Sequence, residues 1–371
     1  MGDFSEFQFD PRTLAGPRRP GISAYMRIKN EQQLVRIAVM SHIDHYDEII
    51  ACYNGCTDDT ERILHDLAAQ YPRKLKVMHY QPKVHPPNSR EHAQTADNSV
   101  HSLANYYNWA LSKTTRQVAV KLDADHLAIA GKLSALTAAI RRDLAAGRGK
   151  LYLSSGINLL RDPRRSAVPG VRVNYLLAGQ TDFVYHPVNE QTVYRNDPQY
   201  ESFDIYRLPL EVEYTGITFF HLRALKLSHH YRPPPSRERL AWLRKEPPDL
   251  NATVPYEQFC SARYQRQLRR RLPAQLGPRS RLMFHLSASA TLRRLKRRLT
   301  GEPAGLLREQ LARLEDDLRD IDFSRDVLDP LRRWEGEAGA NAPCIAGSAW
   351  AESPAKHDPA SSARGQAPRE L

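Results

Sequence analysis

The sequence predicts an α/β protein built on a mostly parallel central sheet. Short apolar runs with strand character alternate with amphipathic helical segments between residues 22 and 146. These helical segments are long enough to connect parallel strands. The chain has 371 residues, of which 41% are hydrophobic, so it can bury a core on both faces of such a sheet.

The elements of the first half follow a strict order. The predicted strands are residues 22–28, 48–52, 75–79 and 117–122, and the predicted helices are residues 31–40, 60–70, 99–113 and 131–146. The second helix is well marked, because Ile63, Leu64 and Leu67 share one face and Asp58 and Asp59 offer N-cap chemistry. Right-handed crossovers would place the carboxyl ends of the strands at one edge, where open α/β sheets bind ligands.

The pattern changes after residue 150. Strand-like runs at residues 151–155, 171–177, 192–194 and 212–221 indicate that this half completes the sheet and forms one wall of a binding site. Prolines near 233–235 and 247–248 then mark a change to basic, helical sequence. The predicted divisions are an N-terminal extension (1–20), an α/β domain (21–230, with halves 21–126 and 150–230), a basic helical C-terminal region (231–334) and a tail whose composition is typical of disorder (335–371).

The positive charge is concentrated in one segment. The formal net charge is +12, from 54 Lys and Arg against 42 Asp and Glu, and residues 259–300 hold twelve basic side chains and no acidic one. Leu292, Leu295 and Leu299 lie on one face of a predicted cationic helix, with arginines between them. On an anionic membrane surface each cation contributes about 1 kcal/mol, so this segment favours peripheral membrane attachment. The alternatives are a solvated charged face and a nucleic-acid site, and the second is disfavoured because the segment lacks interleaved aromatic residues.

The rest of the composition indicates a cytoplasmic protein, with peripheral attachment to the inner face of the cytoplasmic membrane as an option. The four cysteines have no paired metal-ligand spacing, which is typical of a reduced compartment. We find no apolar run of the length of a signal peptide or of a membrane span.

The clearest chemical motif is the pair Asp123 and Asp125 at the end of the fourth predicted strand. If the strand geometry continues, both carboxylates project to the same side and can engage one divalent cation. An Asp-x-Asp triplet is expected about once by chance in a chain of this length. A second copy, Asp320 and Asp322, follows an amphipathic helix and is interpreted as a solvated helix end. The position after a buried strand distinguishes the first pair.

Four segments in order resemble family 2 glycosyltransferases with the GT-A fold. They are the opening strand and Asn-Glu turn (22–31), the Asn-Gly-Cys-Thr-Asp-Asp-Thr turn (54–60), the Asn-containing helix (105–111) and the Lys-Leu-Asp-Ala-Asp-His segment (121–126). The residues of these segments are most similar to those of bacterial enzymes that build lipopolysaccharide or capsule. From residue 150 to residue 230 the resemblance is looser.

The resemblance implies a nucleotide-sugar donor and a cation, Mg2+ or Mn2+. Asp123 and Asp125 would hold the cation on the pyrophosphate, and His221, at the end of a late strand, is similar to a family histidine near the metal. The implied donor-binding residues are Tyr25, Asn30, Glu31, Tyr53, Asn54, Asp58 and Lys121. Tyr53 departs from the family, because a tyrosine stands where an acidic residue usually contacts the base.

The resemblance also implies inversion at the anomeric carbon, which requires a general base beside the acceptor hydroxyl. Glu201 is the favoured base, with Asp182 and Asp204 as rivals. The expected acceptor is a glycan or glycolipid of the cell envelope. The alternative functions are a non-catalytic nucleotide-sugar-binding scaffold of the same fold recruited to the membrane, and a nucleic-acid-binding protein.

Overall fold

The computed structural model describes most of the α/β domain. The described residues are 4–161, 171–176, 183–196, 201–203, 210–224 and 254–255, together with 263, 313, 316–318, 320–322, 324–331 and 333. Asp182, Asp204, the tail 335–371 and all of the basic segment 259–300 except Arg263 lie outside these residues.

The α/β class predicted from the sequence is confirmed. The described strands are β1 (Arg19–Ile28), β2 (Glu48–Tyr53), β3 (Leu75–His79), β4 (Arg116–Lys121), β5 (His126–Ala128), β6 (Lys150–Arg161), β7 (Val171–Leu176), β8 (Val184–Pro187), β9 (Tyr194–Asn196), β10 (Glu201–Phe203), β11 (Glu211–Ala224) and β12 (Val254–Pro255). The described helices are α1 (Val35–His42), α2 (Thr60–Gln70), α3 (Arg90–Gln94), α4 (Leu103–Ser112) and α5 (Ala130–Ala145), with short 3-10 turns at Ser5–Phe7 and Pro11–Leu14 and a π-helical turn at Ser324–Leu328.

One large sheet organises these elements, in the strand order β12-β7-β6-β8-β4-β1-β2-β3. The four strands predicted in the first half are parallel to one another in this sheet. Strand β8 joins β4 to β6 through antiparallel pairs, while β11 runs parallel to β6 and antiparallel to β5. The short strands β9 and β10 form a separate hairpin. The carboxyl ends of β1, β2 and β4 therefore meet at one edge, as the sequence predicts.

Apolar layers cover both faces of the sheet. Every residue of β2 is buried, as expected for a strand covered on two sides. One layer packs residues of α1, α2 and α5 against the sheet, and the other packs α4 and the N-terminal segment. The helix predicted at 99–113 begins only at Leu103, because the hydroxyl of Ser102 accepts a hydrogen bond from the backbone N–H of Asn105 and caps it.

The first described part of the predicted N-terminal extension, residues 4–14, is docked on α4. The side-chain amide of Asn105 donates to the carbonyl of Phe7 at 2.8 Å and accepts from the N–H of Phe9 at 3.0 Å. The indole of Trp109 donates to the carbonyl of Glu6 at 3.2 Å. These bonds and the burial of Phe7 attach the segment to the same helix that borders the candidate site.

The second Asp-x-Asp copy lies at the end of a helix, as interpreted from the sequence. Asp320 is exposed and accepts from Lys132 at 3.0 Å. Asp322 accepts a hydrogen bond from the backbone N–H of Arg325 at 3.1 Å and so caps the following turn.

Among the described residues, none of the helices combines the length and the hydropathy of a membrane-spanning segment.

Candidate active site

The turn between β4 and β5 forms the centre of the candidate site. The N–H of Leu122 donates to the carbonyl of Tyr25 at 3.0 Å and extends the alignment of β4 with β1 by one residue. The chain then turns through Asp123 and enters β5 at His126, which pairs with His221 of β11. The N–H of Leu222 donates to the carbonyl of Asp125 at 2.8 Å, so the turn is attached to β11.

This turn brings Asp125 together with two histidines. One oxygen of Asp125 lies 3.5 Å from Nε2 of His221, and the ligand atoms of Asp125, His126 and His221 all lie within 4.8 Å of one another. Within the described part of the chain, this group is the one whose donor atoms are close enough to share a metal ion. The predicted assignment of Asp125 and His221 to one site is therefore compatible with the geometry.

Aromatic side chains enclose His126. Its ring lies 4.6 Å from that of Phe183 and 4.5 Å from that of Phe219, and those two rings stack at 3.9 Å. A Cβ atom at Gly156 would lie 2.5 Å from the ring of Phe219, so only glycine allows this packing. His126 is completely buried as a result.

Asp123 does not join this group, contrary to the expectation that both carboxylates of the motif face one cation. Its carboxylate lies 3.4 Å from the ammonium of Lys121. The expectation required extended geometry through the motif, but β4 ends at Lys121 and the chain turns at Asp123. The alternation of side chains along a strand therefore stops before the second carboxylate.

Lys121 connects Asp123 to the favoured base. Its ammonium also lies 3.6 Å from Glu201 and 5.2 Å from the centre of the Tyr107 ring, and its side chain is 6% exposed. A buried ammonium is tolerated only with such partners, because removing a charge from water costs several kcal/mol. The structure thus brings Lys121, Asp123 and Glu201 to one edge of the sheet.

The hairpin of β9 and β10 carries Glu201 to this edge, and α4 anchors the hairpin. Asn108 donates to the carbonyl of Tyr194 at 3.0 Å and accepts from its N–H at 2.7 Å. The ring of Tyr194 stacks on those of Tyr107 and Phe203, at 4.7 and 4.4 Å. These contacts fix the start of the hairpin and the strand that bears Glu201.

Tyr25 supports the same hairpin, and this corrects the expectation that it lines the nucleoside pocket. Its side chain is completely buried, and its hydroxyl lies 2.6 Å from the hydroxyl of Tyr194. Burial raises the pKa of Tyr25 well above its usual value, so the hydroxyl is neutral. Tyr25 lies on β1, and its side chain packs in the apolar layer formed by α4 and the N-terminal segment.

The polar residues predicted to line the nucleoside pocket hold neighbouring turns together. Asn30 has a positive φ of 55° and accepts from the N–H of Thr57 at 2.8 Å. Asp58 accepts from the N–H groups of Gln32 and Thr60, at 3.2 and 3.1 Å. The backbone N–H of Glu31 donates to the hydroxyl of Thr60 at 2.7 Å. These bonds join the turn after β1 to the start of α2.

Asn54 and Tyr53 lie at the end of β2. Asn54 is buried and donates to the carbonyls of Tyr80 and Pro82, at 2.6 and 2.7 Å. The ring of Tyr53 stacks on that of His79 at 4.6 Å, and its hydroxyl donates to Glu61 at 2.5 Å. Burial and the Glu61 carboxylate raise the pKa of Tyr53 above its usual value. The residue that departs from the family is therefore part of a packed aromatic pair.

The sequence interpretation did not assign a role to Arg27, which lies at the same edge. Its guanidinium lies 5.1 Å from the centre of the Tyr107 ring. Burial lowers the pKa of Arg27, but Tyr107 and Glu201 more than offset this effect, so the pKa lies above its usual value. Its position near the carboxyl end of β1 is the feature of the sequence that could have identified it.

Asn158, which contacts His221, carried no sequence signal because it lies inside a long strand far from every motif.

The chain is similar to several known proteins. Residues 2–143 match the family model described as beta-1,4-N-acetylgalactosaminyltransferase (CgtA). Similar solved structures include TarS 1–349 of S. aureus, with 10% identity over 80% of this chain and 91% of that chain and a TM-score of 0.33. Another is glucosyl-3-phosphoglycerate synthase from Mycobacterium tuberculosis in complex with Mn2+, uridine diphosphate and glucosyl-3-phosphoglycerate, with 17% identity over 63% and 79% and a TM-score of 0.32. None of the curated protein sequences matches significantly.

Over residues 2–143 the chain is similar to this glycosyltransferase family. The family match spans all four segments in which the sequence resembles family 2 glycosyltransferases, and it includes the turn that bears Asp123 and Asp125. The predicted resemblance is therefore confirmed.

Proposed function

We propose that the protein is a glycosyltransferase that moves a sugar, with inversion, from a nucleotide-sugar donor to a hydroxyl of a cell-envelope glycan, with the help of Mg2+ or Mn2+. The observation that carries the proposal is the meeting of two groups at one edge of the sheet. Asp125 and His221 offer ligand atoms 3.5 Å apart, while Glu201 lies 3.6 Å from Lys121. The first group suits the leaving diphosphate and the second suits deprotonation of an acceptor.

Asp125 and His221 would hold the cation, since carboxylate oxygen and imidazole nitrogen are both common ligands of divalent metals. When bound, the cation neutralises the charge of the nucleoside diphosphate and so makes it a better leaving group. Lys121 and Arg27 add positive charge at the same edge, where it favours binding of an anionic donor.

Glu201 would accept the proton of the acceptor hydroxyl during attack on the anomeric carbon. Inversion requires the base and the leaving group to lie on opposite sides of that carbon. The β9–β10 hairpin brings Glu201 to Lys121, and the ammonium of Lys121 also contacts Asp123. Asp182 and Asp204 remain rival bases outside the described residues.

Transfer assays on the full chain test the proposal. Asp125→Ala should abolish sugar transfer from the donor and the stabilisation of the protein by a nucleoside diphosphate with Mn2+ in a thermal-shift screen. Asp320→Ala is the matched control, because it alters the exposed second Asp-x-Asp copy and should leave both readouts unchanged. Wild-type transfer by the Asp125 variant would refute the assignment.

A non-catalytic scaffold is the second candidate, and the Tyr53 pair supports it, because the base-contacting position of the family is here stacked on His79. A scaffold would bind a nucleoside diphosphate with metal but would transfer no sugar to any acceptor. The same assays therefore distinguish the two candidates.

We also propose that residues 259–300 attach the protein to an anionic membrane surface. Sedimentation of the full chain with phosphatidylserine vesicles should exceed that with phosphatidylcholine vesicles and should decrease with salt. Replacing Arg293, Arg294 and Arg297 by glutamine should weaken it, whereas equal sedimentation with both vesicles would exclude this role. Salt-dependent binding to DNA or RNA instead would favour the nucleic-acid alternative.

A further inference from the structure

We infer that His126, and not Asp123, is the third protein ligand of the metal, so that Asp125, His126 and His221 form a site with two histidines and one carboxylate. Such a donor set suits Mn2+, Co2+ or Zn2+ better than Mg2+, which prefers oxygen ligands. The inference rests on the proposed function, which it deepens by naming the ligands and the class of cation.

The backbone places the two histidines side by side. His126 and His221 are directly opposite residues in the antiparallel pair of β5 and β11, so their side chains lie on the same face. Their rings lie 4.9 Å apart in an edge-to-face arrangement. Two ligands about 2.1 Å from a shared cation are at most about 4.2 Å apart. The three ligand atoms, within 4.8 Å of one another, therefore need only a small closure.

Hydrogen bonding sets His221 in the form that binds metals. Its Nδ1 lies 2.7 Å from the side-chain oxygen of Asn158. An amide oxygen only accepts hydrogen bonds, so Nδ1 must donate, and in the neutral ring Nε2 then carries the lone pair. Nε2 is also the atom that faces Asp125. A second partner that fixes the tautomer in this way is typical of metal-binding histidines.

Asp123 is a poor third ligand by comparison. Its carboxylate lies 3.4 Å from the ammonium of Lys121, and a cation bound there would be close to that positive charge. Its side chain is 29% exposed, whereas that of Asp125 is 8% exposed. The two carboxylates of the motif therefore have different roles: Asp123 pairs with Lys121, and Asp125 is a ligand of the metal.

The surroundings of His126 favour a rigid ligand. Phe183 and Phe219 pack against its ring and restrict its rotation. These apolar rings also exclude water, so the attraction between a cation and the Asp125 carboxylate is less screened than in solvent.

Metal titrations of the full chain without donor test the inference. By calorimetry and by the visible absorption of Co2+, wild type should bind Mn2+ and Co2+ more tightly than Mg2+. His126→Phe keeps an aromatic ring in the pocket but removes the ligand, and should weaken Co2+ binding by at least about tenfold. Asp123→Asn should weaken it less. His42→Phe is the matched control, since His42 is also buried and packs near Phe183 but lies outside the group, and should bind as wild type does.

Pulsed electron paramagnetic resonance of the Mn2+-loaded wild type gives a test that needs no variant. With 15N-labelled histidine, two coordinated imidazole nitrogens are expected. A single nitrogen, or unchanged Co2+ affinity in His126→Phe, would overturn the inference, and so would failure to bind Mn2+ or Co2+. Sugar transfer is measured separately: transfer with one histidine ligand defeats only this inference, whereas two histidine ligands without transfer support it and defeat only the proposed function.

Discussion

The ammonium of Lys121 lies 3.6 Å from the carboxylate of Glu201, although the two residues come from different halves of the chain. The contact is nearly buried, with side chains 6% and 9% exposed. It joins the end of β4, just before the Asp-x-Asp motif, to the hairpin that carries the favoured base. Lys121 is thus placed to position Glu201.

Lys121→Met should reduce kcat by about 10-fold to 100-fold with a smaller change in the KM for donor, because Glu201 loses the partner that holds it. Lys121→Arg should recover part of the loss, since it restores the positive charge. Steady-state kinetics at saturating acceptor would measure both. An equal loss in both variants would show that packing, rather than charge, determines the effect.

Tyr25→Phe should lower the free energy of unfolding by about 1–3 kcal/mol, because the buried hydroxyl of Tyr194 loses its partner. The KM for the donor should not change, since Tyr25 is buried. Tyr46→Phe is the matched control, because the hydroxyls of Tyr46 and Tyr185 form a similar buried pair at 2.9 Å. Denaturant unfolding and donor kinetics would decide, and a raised donor KM in Tyr25→Phe alone would place Tyr25 in the donor pocket.

Asp143 should make stability sensitive to acid. Hydrogen bonds from Tyr152 and Arg148 lower the pKa of Asp143 from 3.8 to about 2. A lowered pKa contributes stability that is complete above the unfolded value and is lost as the pH falls through the folded value. Asp143→Asn should therefore be less stable than wild type near neutral pH, and the difference should shrink between pH 4 and pH 2.

Urea unfolding at several pH values would check the Asp143 prediction. Asp66→Asn serves as the control, because Asp66 forms an exposed ion pair with Arg62 that contributes little. A stability difference for Asp143→Asn that does not vary with pH would contradict the proposed linkage.

Gly156→Ala should lower the free energy of unfolding by about 1–3 kcal/mol, because the new Cβ would lie 2.5 Å from the ring of Phe219. Gly156→Ala should also weaken metal binding, since the displaced ring of Phe219 packs on His126. Gly131→Ala is the control: a Cβ at this position in α5 has no neighbour within 4 Å and should not destabilise. Thermal unfolding and Co2+ titration of the two variants give the comparison.

The sequence was informative where local pattern determines structure. The apolar runs that became β1 to β4 and the amphipathic face of α2 were predicted almost at their observed bounds, because each depends on the local arrangement of apolar residues. The predicted edge holds Lys121 and Asp125 because they follow a strand that ends together with its parallel neighbour β1, whereas Glu201 reaches it on the separate β9–β10 hairpin.

Distant pairing explains what the sequence did not show. The side chain of Asp123 contacts Lys121 because β4 ends at residue 121, one residue before the end predicted from the sequence. The role of Tyr25 depends on Tyr194, and the place of His126 depends on its register with His221. Such contacts join residues that no local pattern connects, so they follow only from the folded sheet.

Helix α4 binds both the N-terminal segment and the β9–β10 hairpin, and this links the beginning of the chain to the candidate site. Asn105 fastens the N-terminal segment to the helix, and one turn later Asn108 fastens the hairpin that bears Glu201. A purification tag or truncation that detaches residues 4–14 from α4 should therefore shift α4 and, with it, the favoured base Glu201. The N-terminal segment therefore contributes to the position of the hairpin through α4, although the hydrogen bonds that attach it to α4 do not involve Glu201.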